Sequence, residues 1–321
     1  MNTSYNRQRK AKIVVATMEE SPSAARMPLR NRLQGVLIRH ESLRGFLLLA
    51  PALVILGITV AVPFLLMSAM SLWTQIGFDY ADDWSLRNYT AILTEPLYTT
   101  LLLRSLTMAM VATFVTVVLV YPMAYFLAFH VHSNKLIWLI IITLPFWTSY
   151  LLRVFAWRVI LGYEGVINSG LMELGLIGEP LQFLLYSRVA VIITLAHAWA
   201  AFAFLPIYVS LEKIDKSMLE ASADLGEPPV MRFFRVILPL SMPGVIAGTF
   251  LMFIPTVGDY VTPTLVGGPD AAMIGNLIQL QFGTINNWPM GAALAITMIL
   301  SITLVGLFFM ALMHGLRRWA R

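Results

Sequence analysis

The sequence predicts an all-α, polytopic integral membrane protein with six transmembrane helices. Of its 321 residues, 58% are hydrophobic and 12% are charged, and a soluble domain of that composition would expose more apolar surface than water tolerates. The apolar residues form six long runs, and a helix of ~20 residues crosses a hydrocarbon core of ~30 Å. Only helices and closed barrels satisfy their backbone groups in lipid, and these runs are too long and too continuous for barrel strands.

Polar loops separate the six predicted spans. Pro51 and Pro63 lie within the first span, which packed membrane helices accept because neighbouring groups satisfy the freed carbonyls. Trp73 closes that span, as aromatic residues at a membrane interface commonly do. In chain order the spans are 46–72, 101–129, 136–161, 188–211, 242–266 and 288–316.

The charge distribution predicts that both termini are cytoplasmic. Most of the 22 Lys and Arg residues lie in the segment 1–44, at Lys135, in the polar stretch 212–240 and after residue 316. Cytoplasmic segments carry the excess of basic residues, so we expect these four on the inner side. The net charge of +5 then needs no nucleic acid to explain it. The loops on the opposite side are acidic and contain Asp79, Asp82, Asp83, Glu95, Glu164, Glu173, Glu179 and Asp270.

We therefore expect three regions along the chain. Residues 1–44 form a basic cytoplasmic tail, residues 45–316 form the transmembrane domain, and residues 317–321 form a cytoplasmic C-terminus. The part of the tail from 28 to 44 is expected to lie as a helix on anionic lipid. A nucleic-acid-binding arm is the alternative for so basic a segment.

The longest polar interruption in the C-terminal half, residues 214–244, has the sequence signals of a capped helix. Ser217 and Glu220 have the Ser-x-x-Glu spacing of a capping box, which predicts a helix beginning near Lys216. Gly226 suits the left-handed position that ends such a helix. The stretch therefore begins with a short helix and a sharp turn.

A second helix is predicted after the turn. Pro228 and Pro229 cannot continue the first helix, but Pro229 fits the first turn of a second one, which we expect to reach Val236. Pro239 and Pro243 then mark the entry to the next apolar run. The prediction for the stretch is helix, turn, helix between two spans.

This stretch resembles the EAA motif of ABC-importer permease subunits, which reads Glu-Ala-Ala, three residues, Gly, nine residues, Ile-x-Leu-Pro. The spacing matches at every interval, with Ser222 in place of the second Ala and Val236 in place of the Ile. In that family the loop is a cytoplasmic helix that docks on the ATPase subunit, so we call residues 212–240 the coupling loop. An ordinary amphipathic connector is the alternative. The matching residues are Glu220, Ala221, Ser222, Gly226, Val236, Leu238 and Pro239.

Four further stretches resemble the putrescine/spermidine importer permeases: 144–153, 253–270, 274–276 and 287–293. The resemblance covers residues 45–316 and implies the type I ABC importer permease fold. It implies a polyamine-translocating subunit of a bacterial inner-membrane importer, with a periplasmic binding protein, two copies of an ATPase and a second permease as partners. ATP and Mg²⁺ would bind to the ATPase, and no cofactor or metal to this chain. The second permease is either identical or a paralogue.

Other transport functions remain as alternatives. Permeases with nearly this pattern carry other small solutes, such as opine or amino-acid derivatives, iron or sugars. A stand-alone secondary transporter is the alternative from another class, although such transporters often show inverted repeats and none is evident here. The sequence contains no phosphate-binding loop, no His-Glu-x-x-His and no Gly-x-Ser-x-Gly, so we expect no catalytic residues and no enzyme activity.

Charged residues within spans are costly and usually functional, and Asp259 in the outer half of the fifth span is one of them. Arg153 is predicted at a comparable height on the third span, so one interpretation is a structural ion pair between the two. The other makes Asp259 attract a cationic substrate. Tyr150 and Arg153 share a predicted helical face with two more aromatic residues, which is either a lining suited to cation–π contacts or an ordinary packed aromatic face. The candidate substrate-pathway residues are Asp259, Tyr260, Trp147, Tyr150 and Arg153, and the aromatic face also includes Phe146 and Trp157.

Overall fold

The computed structural model describes residues 41–77 and 79–319. Residues 1–40, which hold most of the predicted basic tail and of its interfacial helix, lie outside the described residues. So do the last two residues of the predicted cytoplasmic C-terminus. The described part of the chain divides into two compact units, one that ends at residue 65 and one that begins at residue 66.

The first predicted span is a single helix, α1 (Glu41–Met70), whose part up to residue 65 belongs to the first unit. It contains both predicted prolines, Pro51 and Pro63. The apolar stretch from Leu48 to Met70 is 23 residues long, enough to cross a bilayer core.

The loop after the first span is folded, and the second span begins earlier than predicted. Strands β1 (Thr74–Ile76) and β2 (Asp79–Ala81) pair as an antiparallel hairpin, and α2 (Arg87–Thr94) follows. The amide of Asn88 donates to the carbonyls of Ser71 at 2.9 Å and Trp73 at 2.8 Å, which fixes the start of α2 beneath the hairpin. Helix α3 (Pro96–Phe129) begins five residues earlier than predicted, because Pro96 fits its first turn, and it runs unbroken through the second span.

The third predicted span is not one straight helix. Helix α4 (Lys135–Thr143) passes into a 3₁₀ turn (Leu144–Trp147), and after Thr148 and Ser149 the chain resumes as α5 (Tyr150–Ile160), bent by 86° from the first piece. The prediction of a continuous third span is wrong because Pro145 within the turn cannot donate to the helical ladder. The height assigned to Arg153 by counting along a straight helix is wrong for the same reason.

The fourth span is also bent. Helices α7 (Arg188–Ala198) and α8 (Ala200–Glu212) meet at Trp199 with an angle of 46°. Between the third and fourth spans lie α6 (Val166–Glu173) and a 3₁₀ turn (Gln182–Leu184). The amide of Asn168 donates to three carbonyls there, those of Gly162, Tyr163 and Leu181, so this predicted loop is ordered.

The fifth span begins inside the coupling loop. After α9 (Lys216–Asp224), α10 (Pro229–Arg232) continues through one π-helical turn (Phe233–Ile237) into α11 (Leu238–Val257) without a break. The predicted end of the second coupling helix at Val236 is therefore wrong. At its other end the span breaks after Val257 and resumes as α12 (Val261–Val266), so the predicted continuous helix to 266 is wrong as well.

The sixth span is α14 (Trp288–Trp319), preceded by a 3₁₀ turn (Pro269–Ala271) and by α13 (Ile274–Phe282). Among the described residues, four helical stretches are long and apolar enough to cross a membrane. The bent third and fourth spans bring the number to six, as the sequence predicts.

The second unit has its tightest packing where α8 crosses α11. Gly244 and Gly248 of α11 face α8 so closely that a Cβ atom on Gly244 would lie 2.4 Å from the carbonyl oxygen of Pro206. A Cβ on Gly248 would lie 2.8 Å from the carbonyl oxygen of Ala203. Small residues let the two backbones touch, which replaces the hydrophobic effect as the source of helix association in lipid. Tyr121 of α3 bonds Ser241 of α11 at 2.8 Å in the same buried layer.

Candidate functional site

Helix α9 of the coupling loop begins where predicted, but its cap is a different residue. Asp215 is the N-cap, and its Oδ1 accepts a hydrogen bond of 3.0 Å from the backbone amide of Ser217. This bond, supported by the Ser217 side chain, lowers the pKa of the Asp215 carboxyl below its usual range. The predicted capping box of Ser217 and Glu220 is wrong: an Asp two residues earlier takes the position and leaves Glu220 exposed.

The end of α9 confirms the prediction for Gly226. Its φ is +81°, a left-handed conformation that a side chain would strain. The amide of Gly226 donates to Ala223 at 2.9 Å, and the amide of Glu227 donates to Ser222 at 3.2 Å. These two bonds form the Schellman motif, which satisfies the last carbonyls of the helix and reverses the chain.

An ion pair and a run of hydrophobic contacts hold the two arms of the coupling loop. Arg235 Nη1 lies 2.6 Å from Glu227 Oε1, so the π-helical turn is tied to the residue just after the Gly226 turn. Leu219 and Phe233 pack against the buried cluster of α3 and α8, and Ile237 is part of that cluster. The loop is therefore a rigid continuation of the membrane helices.

The seven motif residues occupy two environments. Glu220, Ala221, Gly226 and Pro239 are exposed, and Val236 and Leu238 are half-buried at the junction with the fifth span. Ser222 is 8% exposed, and its hydroxyl finds no partner among the described residues. A small buried residue at this position lets α9 lie close to the rest of the loop. The exposed edge around Glu220 is the surface that remains for a partner.

A second ion pair joins two spans at the same end of the bundle. Lys135, the first residue of α4, lies 2.8 Å from Glu212, the last residue of α8, and also donates to the carbonyl of Ala128 at 2.9 Å. The third span, the fourth span and the end of α3 are thus connected where the coupling loop begins. No local pattern in the sequence indicates this pair, because 77 residues separate Lys135 from Glu212.

Asp259, 7% exposed, lies in the break between α11 and α12 and does not pair with Arg153. Its Oδ1 accepts from the amides of Val261 at 2.8 Å and Thr262 at 3.3 Å. Its Oδ2 accepts from the hydroxyl of Thr262 at 2.7 Å and from that of Tyr150. The ion-pair interpretation is wrong, because four donors of the protein already surround the carboxylate, and two of them are the first backbone amides of α12.

Arg153 has a different set of partners. Its Nη1 donates to the carbonyls of Thr148 at 2.7 Å, Phe146 at 3.0 Å and Pro145 at 3.4 Å, which the break in the third span leaves without helical partners. The guanidinium carbon is 5.7 Å from the ring centre of Phe146 and 5.9 Å from that of Tyr150. The predicted aromatic lining is thus brought together, and Arg153 of the chain itself provides a cation over two of its rings.

The other two candidate pathway residues are exposed. Trp147 is 80% exposed and Tyr260 is 47% exposed. An apolar cavity of about 450 Å³ is lined by Phe146, Trp157 and His197, among others, but not by Asp259 or Tyr260. His197 packs its ring 5.5 Å from Trp157, and its Nδ1 is buried without a partner among the described residues.

The Tyr150–Asp259–Thr262 network was missed by the sequence analysis, although a signal for it exists. Asp259 lies two residues before the first residue of α12, and an Asp just before a helix commonly accepts from its first backbone amides. The predicted continuous fifth span hid it. The partner Tyr150 comes from the third span and carries no local signal, since 109 residues separate it from Asp259.

The comparisons with known proteins agree with the coupling-loop resemblance. The family described as "binding-protein-dependent transport system inner membrane component" matches residues 51–321. The spermidine/putrescine transport system permease protein PotB of Escherichia coli is 41% identical over 225 residues, which cover 70% of this chain and 81% of that protein. PotB of Haemophilus influenzae is 37% identical over 247 residues, 77% of this chain and 86% of that protein.

A solved structure shows the same fold. The crystal structure of a bacterial ABC transporter that imports the acidic polysaccharide alginate aligns with a TM-score of 0.65, covering 90% of this chain and all of that chain at 16% identity. The predicted all-α importer permease fold is confirmed. This chain is therefore a member of the binding-protein-dependent transport system inner membrane component family, a transport subunit and not an enzyme.

Proposed function

We propose that this chain is the transmembrane permease subunit of an ATP-driven importer that carries a polyamine, such as putrescine or spermidine, across the inner membrane. The observation that carries the proposal is the similarity to PotB, a spermidine/putrescine permease, at 41% and 37% identity over most of its length in two bacteria. Membership of the family supports the role as a permease subunit, and the similarity to PotB supports a polyamine as the solute.

The coupling loop provides the mechanical link that such a subunit needs. Glu220 stands exposed on α9, available to an ATPase, while the Schellman turn at Gly226 and the Arg235–Glu227 pair fix α9 to the next helix. From Pro229 to Val257 that helix is continuous and enters the membrane. A displacement of α9 by ATP-driven closure of two ATPase subunits would therefore tilt the fifth span as one body.

The remaining partners follow from the same proposal. A periplasmic binding protein would deliver the polyamine to the outer loops, and a second, homologous permease would form the other wall of the pathway. ATP and Mg²⁺ would act in the ATPase subunits. Both termini of this chain would be cytoplasmic, on the same side as the basic coupling loop.

The electrostatics of the outer side favour a cationic solute. The loops between the spans carry carboxylates on that side, and Asp83 and Glu95 among them are exposed. Tyr260 is exposed beside Asp259, and Trp147 is exposed beside the break in the third span, so both are within reach of a solute. We propose that the pathway passes these two aromatic residues, with Asp259, Tyr150 and Arg153 forming its supporting wall.

Reconstitution tests the proposal directly. The full chain is incorporated into proteoliposomes with its ATPase, its second permease and its binding protein, and uptake of labelled putrescine and spermidine is compared with uptake of an acidic oligosaccharide. ATP-dependent uptake of a polyamine that the unlabelled polyamine suppresses supports the proposal. ATP-dependent uptake of another solute class without polyamine uptake would keep the importer and reject the polyamine, and uptake without any ATPase would indicate a secondary transporter.

A further inference from the structure

A cavity of about 510 Å³ lies between the end of α3 and the coupling loop. Two elements that are far apart in sequence form its walls: the chain around residues 125–132 and the two short helices of the coupling loop. The proposed solute pathway does not use it. Its lining residues are Tyr125, Phe129, His130, His132, Lys216, Leu219, Glu220, Pro229, Arg232 and Ile237.

Basic groups outnumber acidic ones in this cavity. Lys216 and Arg232 are cationic, His130 and His132 add two imidazoles, and Glu220 is its one carboxylate. Within residues 41–77 and 79–319 the ion pairs are Lys135–Glu212 and Arg235–Glu227, so neither cation of the cavity has a carboxylate within ion-pair distance there. The cavity therefore carries a net positive charge, and no ion pair within the described residues neutralises either of its cations.

Arg232 is the most enclosed of these cations. Its Nε is buried and makes no hydrogen bond within the described part of the chain. A buried donor of a charged group that makes no hydrogen bond is costly in free energy. In native structures such a group commonly has a ligand or a water as its partner. A guanidinium presents several donors in a fixed fork, a geometry that matches phosphate oxygens better than it matches a single carbonyl.

The two histidines are held in place beside the cations. The ring of His130 stacks on Phe126 with a centroid distance of 5.5 Å and an interplanar angle of 9°. His132 Nδ1 lies 3.0 Å from the carbonyl oxygen of His130. Because a carbonyl only accepts, Nδ1 is the donor, and an anion bound beside Nε2 favours the imidazolium form of His132, in which both ring nitrogens donate.

We propose that this basic cavity binds a phosphate-bearing anion, through Arg232 and Lys216 with His130 and His132 at its rim. The anion is either the headgroup of an anionic phospholipid or a soluble phosphate compound, since both present the same oxygens. The bound anion joins the end of α3 to both short helices of the coupling loop, so its occupancy stiffens the loop. The site does not depend on which solute the importer carries.

A fluorescence titration tests the proposal on the full chain. Because the chain contains no cysteine, Ser133→Cys, an exposed position next to His132, allows a single environment-sensitive dye. The labelled protein is placed in nanodiscs of phosphatidylcholine alone, and pyrophosphate is titrated. We expect a saturable response whose apparent affinity is about tenfold or more weaker in Arg232→Gln and in Lys216→Gln, because each removes a charge-assisted hydrogen bond.

The matched control is Lys213→Gln, which removes an exposed cation of the same loop that does not line the cavity. It should respond as the parent does. Nanodiscs that contain phosphatidylglycerol identify the source: a dye already in its bound state, with a weakened pyrophosphate response, indicates a lipid headgroup, and an unchanged titration indicates a soluble phosphate. No saturable response to either source, or equal affinities in Arg232→Gln, Lys216→Gln and Lys213→Gln, would overturn the proposal.

Discussion

The amide of Glu227 donates to the carbonyl of Ser222 across Gly226, and this bond of 3.2 Å sets the angle between the exposed coupling helix and the fifth span. The residues on either side are themselves anchored: Asp215 caps the start of the helix and Arg235 holds Glu227 from the other arm. A displacement of α9 is therefore transmitted to the helix from Pro229 to Val257.

Because α8 and α11 cross so closely, we expect one added methyl group at the crossing to lower the stability of the protein. Gly244→Ala places a Cβ atom 2.4 Å from the carbonyl oxygen of Pro206, so one backbone must shift, at a cost of about 1–3 kcal/mol. We expect a lower thermal unfolding midpoint in detergent. Gly170→Ala is the control, because a Cβ there meets nothing within 4 Å. Equal midpoints for the two variants would show that the spans do not pack as described.

The carboxylate of Asp259 has two separable roles, capping α12 and carrying charge. Asp259→Asn keeps an oxygen for the amides of Val261 and Thr262 but removes the charge, which is strong in a low-dielectric site. We expect normal assembly, normal basal ATPase activity and polyamine uptake reduced by about tenfold or more, a loss of ~1.4 kcal/mol.

Tyr150→Phe provides the comparison for Asp259. It removes one donor from the carboxylate and keeps the charge, so uptake should stay within about threefold of the parent rate, a difference of less than ~1 kcal/mol. If Asp259→Asn takes up polyamine at the wild-type rate, the charge of Asp259 does not contribute to transport and the residue serves only to cap α12. A large loss in Tyr150→Phe would mean that the hydrogen-bond network, rather than the charge, supports transport.

Single cysteines test the proposed orientation. The chain contains no cysteine, so Asp83→Cys and Ser217→Cys can be labelled without background, and both positions are exposed. A membrane-impermeant thiol reagent added to intact cells should modify Asp83→Cys and should modify Ser217→Cys only after the membrane is opened. The reverse pattern would place the coupling loop outside and contradict the proposed contact with an ATPase.

The sequence was informative where a residue acts through its own local chemistry. Gly226 was predicted in the left-handed conformation and has it, because that conformation depends on the residue itself. The predicted start of α9 was also correct. Asp215 rather than Ser217 caps the helix, because several neighbouring polar residues could occupy the N-cap position. The number of spans followed from apolar length alone.

The breaks within spans were not predictable from hydrophobicity. Long apolar runs flank both breaks, and only Thr148 and Ser149 at the first and Gly258 and Asp259 at the second interrupt them, too few residues to divide a span in a hydropathy pattern. A side chain stabilises each break. Arg153 donates to the free carbonyls at the break in the third span, and Tyr150 donates to Asp259 at the break in the fifth span. Such pairings depend on tertiary packing, which a single sequence does not display.

Stimulation of ATPase activity by the loaded binding protein, measured in the reconstituted importer, tests whether α9 transmits the movement of the ATPase to the membrane helices. Glu220→Lys reverses the charge on the exposed edge of α9, and Asp224→Lys makes the same change on an exposed residue of that helix outside the motif. The account predicts that both variants assemble, that Asp224→Lys is stimulated like the parent, and that Glu220→Lys loses most of the stimulation. Full stimulation in Glu220→Lys would contradict the role of the coupling loop.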